Sequence, residues 1–253
     1  MIFSLRVWCF GAWLLTYFYT SGQVVNIESQ RFVSADTGLI GNINLSLSVA
    51  KNQTLIYNAT AISHVQYNWK KPTILLVSSY TFIRAIDQNL VNQTFQHLRF
   101  TLNTKAKLTP EAFAQWQNNP IQALQSRTLI GAGSRLRILQ NDSLRIFYGL
   151  NLMWENELLR TEINRENRDF RISTYLSFYW RIKDQYLISN TTYFQPNITI
   201  LSDYRISSET RLLLKITKHL SYAVTYNIFH DTYPPAGINK TFYTLTNGFS
   251  YLF

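Results

Sequence analysis

From about residue 39 to the last residue the chain alternates, one position apolar and the next polar or small. Leu144, Ile146, Tyr148, Leu150, Leu152 and Trp154 form one face of a run whose other face is Arg145, Phe147, Gly149, Asn151, Met153, Glu155 and Glu157. Further on, Tyr204, Ile206, Leu212, Leu214 and Ile216 oppose Arg205, Ser207, Glu209, Arg211 and Lys215. A period of two is the pattern of a strand with one buried and one solvated face. It predicts twelve strands: Leu39–Ala50, Thr54–Trp69, Thr73–Ala85, Asn89–Asn103, Thr109–Asn118, Gln125–Leu139, Ser143–Glu157, Arg168–Arg181, Gln185–Pro196, Asp203–Thr217, His219–Asp231 and Lys240–Phe253. Many span 13 to 16 residues, against roughly 5–6 for a soluble strand and about 9–11 needed to cross a membrane at a tilt.

A soluble sandwich also alternates, but its outer face carries a Lys/Glu cover. Here the polar faces mix small neutral residues with Arg and Glu, and aromatics gather near strand ends: Tyr67, Trp69, Trp154, Trp180, Tyr186, Tyr204, Tyr251 and Phe253. Interfacial aromatic girdles sit there in membrane barrels. Composition points the same way. Only 15% of residues are charged and 15% are aromatic, where about 25% charged is usual for soluble proteins. The expected fold is therefore all-β, an antiparallel transmembrane β-barrel of about 12 strands over 39–253. Alternate connections are short (KKP at 70–72, QND at 140–142, Lys183–Asp184, TKH at 217–219, with NTKAKL near 103–108 the longest of them), and most of the others are longer, such as LLRTEINREN at 158–167 and TYPPAGINK at 232–240. Outer-membrane barrels have short periplasmic turns and long outer loops. Both termini then fall on the periplasmic side.

Residues 1–22 differ. Arg6 precedes the apolar run Val7–Tyr19, and Thr20 and Gly22 offer small residues for cleavage. This predicts a signal peptide, too short for a comfortable membrane span, followed by a short periplasmic lead-in over 23–38. The sole cysteine, Cys9, lies inside the apolar run, so disulfides and thiolate metal sites are not expected in the mature chain. The net charge of +10 and pI near 9.7 would suit nucleic acid, but the arginines alternate into a barrel interior, and no nucleic-acid partner is expected. No phosphate loop, metal spacing or Gly-x-Ser-x-Gly elbow occurs. Of the four histidines, His64 and His97 take lumen phases, His219 a turn, and His230 a lipid-facing phase without a matching serine. Neither an enzyme nor a cofactor is expected. The Gly131–Gly133 pair reads as close packing. The Asn-x-Thr triplets at Asn58 and Asn190 read as neutral lumen residues.

Two groups of lumen residues stand out. Arg127, Glu155, Glu157 and Arg171 fall on three successive strands toward the outer ends and are expected to form one charged cluster. Arg135, Arg137, Arg145 and Arg181 fall toward the short turns, with Arg137 and Arg145 near-opposite across the 140–142 hairpin and Glu111 the one lumen acid at that level. That basic inner mouth favours anions. The alternative is that its guanidiniums stack on Tyr175 and Tyr179 and fill the lumen.

The stretches LVNQTFQHLRF, EAFAQWQNNP, LIGAGSRLRI, YFQPNITILSDYRISSE and DTYPPAGINKTFYTLTNGFSYLF resemble the salt-induced outer-membrane proteins, a family catalogued as a domain of unknown function. The resemblance runs from about Gly41 to Phe253. It implies a bacterial outer-membrane barrel and supplies no activity or catalytic residues. The alternating aromatic ending, with Phe249, Tyr251 and Phe253, resembles the C-terminal signal by which such barrels are recognised by the barrel-assembly machinery. Since a barrel has no edge, the last strand is expected to pair with the first. Three functions fit: a narrow channel for small polar or anionic solutes, a closed barrel supporting the outer membrane under osmotic or salt stress, and a surface-binding or lipid-modifying barrel. Twelve strands lie between the filled eight-stranded and the open 16–18-stranded barrels.

Overall fold

A computed structural model describes residues 26–28, 31, 37–51, 55–85, 88–102, 106–160, 165–183 and 185–251. The predicted leader and Phe253 lie outside the described residues. Twelve strands are present: β1 Gly38–Lys51, β2 Leu55–Asn68, β3 Pro72–Ala85, β4 Gln88–Leu102, β5 Leu108–Asn119, β6 Leu124–Gln140, β7 Leu144–Leu159, β8 Arg165–Ile182, β9 Tyr186–Pro196, β10 Tyr204–Lys215, β11 Leu220–Asp231 and β12 Thr241–Tyr251. They form one antiparallel meander in sequence order. A 3₁₀ turn, Pro120–Gln122, links β5 to β6, with the Asn119 side chain accepting from the Ile121 amide. Among the described residues no helix is long and apolar enough to cross a membrane, which says nothing about strands.

The alternation decides which way each side chain points. On β7, Asn151, Met153, Glu155 and Glu157 are buried, while Leu150 and Leu152 are about half exposed. The sheet curls around the buried face strongly enough for side chains three strands apart to touch: the Tyr175 hydroxyl of β8 donates to Glu111 of β5 at 2.9 Å. Two glycines make room for this. A Cβ on Gly149 would stand 1.9 Å from the Tyr175 ring, and one on Gly131 would stand 2.5 Å from the Phe113 ring. The rings lie across the bare backbone there and fill the barrel's middle. The outward face keeps a band of Leu, Ile, Val and Phe, with aromatics near the strand ends, as where Tyr67 packs edge-on to Trp69 at 4.2 Å.

The sheet departs from the expectation of closure. Among the described residues no ladder joins β1 to β12, and these two strands carry the most exposed apolar residues of the sheet, from Leu45 at 78% to Phe249 at 69%. Each lacks a neighbour on one side, which is why their outward rows are barer than that of β7. The described part of the lead-in enters the curl: Asn26, Ile27 and Glu28 are buried inside it. Ile27 packs with Leu75, Val77 and Phe95 of β3 and β4, so an apolar side chain found its contacts in the lumen.

Candidate functional site

The lumen divides into three levels. At the end nearer the long connections, Glu155 accepts from three arginines: Arg127 at 3.0 Å, Arg171 at 2.5 Å, and Arg205. Glu157 binds Arg127 and, at 3.2 Å, Arg205. Asp203 takes Arg171 at 2.7 Å and Asp231 takes Arg205 at 2.8 Å. The structure thus brings Arg127, Glu155, Glu157 and Arg171 together. It adds Arg205, Asp203 and Asp231, which reading neighbouring strands does not reveal. Arg205 stands on β10, three strands from β7, and reaches Glu155 only because the sheet curls.

The middle level is packed. Phe113, Met153, Tyr175 and Tyr193 are buried. The Arg99 guanidinium lies 5.4 Å from the Phe113 ring and 5.9 Å from the Tyr175 ring, an arrangement in which the ring faces attract the cation. A cavity of about 40 Å³ remains among these side chains.

The N-terminal residues complete this level from below. Glu28 accepts from Arg31 at 2.6 Å, Arg135 at 3.0 Å and Arg99 at 3.3 Å. Arg31 donates in turn to Glu111 and, at 3.0 Å, to the Thr101 hydroxyl, and Asn26 donates to Glu209 at 3.4 Å. Burial pushes the Glu28 carboxyl up, but Arg135, Arg31 and Arg99 more than reverse this and hold it at about 2. Glu111 is therefore not the one acid at this level, because Glu28 of the inserted lead-in joins it.

The short-turn end opens into a vestibule of about 460 Å³. Arg31, Arg135, Arg137, Arg145 and Arg211 line it, against Glu28 and Glu209. The Arg135 guanidinium lies 3.6 Å from the centre of the Phe147 ring and that of Arg145 5.7 Å from the Tyr179 ring, so some of the guanidiniums do sit over lumen rings. Among the described residues Arg145 and Arg211 make no ion pair. Arg181 is exposed at the end of β8 and does not line the vestibule. Arg137 faces Phe147, and Arg145 faces Gln140. The two arginines are thus diagonal, not opposite. The hairpin pairs Gln140 with Arg145, which sets Arg145 beyond Arg137 toward the turn, and a bulge at Ile138 inserts one unpaired residue between them. The Asn190 triplet also differs from expectation. Asn190 and Thr192 stand on the same outward phase of β9 as the exposed Phe194, where Asn190 donates to Ser208 at 3.0 Å and Thr210 at 2.8 Å.

No curated protein matches the sequence. Among solved structures, the NanC porin aligns with 85% of this chain and 99% of its own at 9% identity and a TM-score of 0.48. Pseudomonas aeruginosa OccK11 (OpdR) aligns with 85% of this chain and 84% of its own at 9% identity and a TM-score of 0.33. The family profile described as "Protein of unknown function, DUF481" matches residues 42–253, nearly the whole sheet, and the chain belongs to that family.

Proposed function

We propose that this chain is an outer-membrane β-barrel that passes small anionic solutes. The vestibule carries the reading: five guanidiniums face two carboxylates around about 460 Å³. Surplus fixed cations in a low-dielectric mouth concentrate anions and exclude cations. Placement in the membrane rests on the apolar outward band and its aromatic borders, which suit outer-membrane lipids and would be an aggregation hazard in water. The short turns, and with them the vestibule, face the periplasm. The exposed Phe249 and Tyr251 on β12 suit recognition by the assembly machinery. The test is the reversal potential of the purified barrel in a planar bilayer under a salt gradient. Anion preference that falls when Arg137 and Arg145 are both changed to Gln supports the reading. Cation preference, or selectivity indifferent to the pair, overturns it.

The packed middle level favours a second reading, a closed barrel that supports the membrane under osmotic or salt stress. A flat conductance trace together with a leaky envelope on deletion would select it.

A further inference from the structure

We propose that Arg99 and Arg135 form a binding site for a small organic carboxylate, and that in this structure the chain's own Glu28 occupies it as a tethered competitor. The proposal rests on the channel reading and deepens it by naming the solute class and the step that admits it.

The two Glu28 oxygens are held separately. Oε1 faces Arg99 at 3.3 Å and Arg31 at 2.6 Å, and Oε2 faces Arg135 at 3.0 Å. Donors set on both sides of a planar anion select a carboxylate over a spherical halide. Arg99 and Arg135 belong to β4 and β6, whereas Glu28 and Arg31 belong to the lead-in. The site is therefore built by the barrel and filled by a segment that is not part of it. Glu28 and Arg31 also line the vestibule, so a solute entering there meets the ion pair it must displace.

The charges suit such an exchange. Arg31, Arg99 and Arg135 stand against Glu28 and Glu111. Lifting out the lead-in removes one cation and one anion together, Arg31 with Glu28. Arg99 then keeps Glu111 and Arg135 loses its ion pair with Glu28, which leaves one surplus positive charge. A monoanion neutralises that charge. Replacement of Glu28 by a solute carboxylate keeps buried Arg99 and half-buried Arg135 paired throughout, where an empty site would leave Arg135 without its carboxylate. Ile27, seated with Leu75, Val77 and Phe95, keeps the segment in place until the carboxylate is displaced.

The test measures the seat directly. With Cys9 changed to Ser, Ile27→Cys is placed in the full-length chain in liposomes, with Asn26→Cys in parallel because Ile27 belongs to an apolar cluster. Labelling by a hydrophilic maleimide is followed in sodium chloride and in sodium gluconate of equal strength. Labelling should be slow in chloride and about tenfold faster in gluconate. Adding Glu28→Gln and Arg31→Gln together should give the fast rate in chloride as well, about the ratio expected for losing one charge-assisted hydrogen bond. Equal rates in the two salts, or a rate indifferent to the double change, overturn the proposal. Conductance is recorded on the same protein. Gluconate-dependent labelling in an electrically silent barrel keeps the site and removes the channel. Anion conduction with gluconate-independent labelling keeps the channel and removes the site.

Discussion

Glu155 holds together the charged cluster at the long-loop end, and Glu155→Gln measures what that cluster contributes. Its side chain is 1% exposed and meets three guanidiniums: Arg127 at 3.0 Å, Arg171 at 2.5 Å, and Arg205. At an effective dielectric of about 20, one pair at that separation is worth about 5 kcal/mol before desolvation is subtracted. Glutamine keeps the shape and one oxygen acceptor, but it removes the charge and turns an NH₂ group toward cations. Arg171 and Arg205 retain Asp203 and Asp231, and Glu157 retains Arg127, so part of the loss is recovered. Removing one partner of a buried pair costs about 3–5 kcal/mol, and the change should fall in that range. Glu166→Gln is the control. Glu166 pairs with Arg168 at 3.0 Å, the side chains being 45% and 67% exposed, and a far smaller change is expected because water screens the pair. Urea unfolding from lipid vesicles, followed by the gel shift between folded and unfolded barrel, gives both numbers. A cycle pairing Glu155→Gln with Arg127→Met should show about 1–3 kcal/mol of coupling. If Glu155→Gln unfolds within about 0.5 kcal/mol of Glu166→Gln, or the cycle shows no coupling, the cluster is a set of separately satisfied charges and the reasoning fails.

Arg at Leu150, which is 48% exposed on the outward face, should destabilise the membrane-inserted barrel by about 2–4 kcal/mol; unchanged unfolding in vesicles would mean the assigned phase is wrong. Gly149→Ala should cost about 1–3 kcal/mol by overpacking, because the new methyl meets the Tyr175 ring and disturbs its hydrogen bond to Glu111; an unshifted urea midpoint would refute the packing account. In a bilayer the free edges of β1 and β12 face hydrocarbon, where each unmet backbone group costs several kcal/mol. Ser46→Cys should therefore cross-link to one of Thr244→Cys, Thr246→Cys or Gly248→Cys in vesicles, and failure of all three would show the seam stays open. Glu28 has a depressed pKa when docked, so its contribution to docking is complete above its ordinary value of 4.5 and is lost as pH falls toward about 2. A nitroxide on Ile27→Cys should stay immobile from pH 8 to 5 and loosen only below about 4.5; loosening near neutral pH would contradict the ion-pair account.

The twelve strands were legible because a one-residue slip would turn every apolar side chain inward. The outward row of Leu144 to Trp154 could sit in only one phase, and β7 has that phase. What alternation could not show was depth across the curl. Arg205 was visible as a residue on the polar face of its strand, yet nothing local ties β10 to β7. The bulge at Ile138 did leave a trace: Ile138 and Leu139 are adjacent apolar residues, both exposed, and two successive outward side chains mark an extra residue. The burial of Asn26, Ile27 and Glu28 is not legible from alternation, because the lead-in has none and is short. Its signal was chemical, with Glu28 and Arg31 three residues apart beside an isoleucine, a composition that suits a packed segment better than a solvated tail. That a barrel has no edge predicts pairing of β1 with β12, but nothing in either strand's alternation specifies that ladder.

The two charged levels differ in what they leave over. At the long-loop end, Arg127, Arg171 and Arg205 meet Glu155, Glu157, Asp203 and Asp231. Each of these guanidiniums has at least two acidic partners, and the level carries one surplus negative charge. At the short-turn end five guanidiniums meet two carboxylates, and Arg145 and Arg211 stand without an ion pair among the described residues. The potential therefore runs from positive at the short turns to slightly negative at the long loops. An anion drawn in at the vestibule therefore meets no further positive surplus at the long-loop level. Mutation of Arg145 or Arg211 in the vestibule should accordingly alter selectivity and entry, because neither makes an ion pair among the described residues. Mutation around Glu155 should alter stability first, because its cations are already committed to the fold.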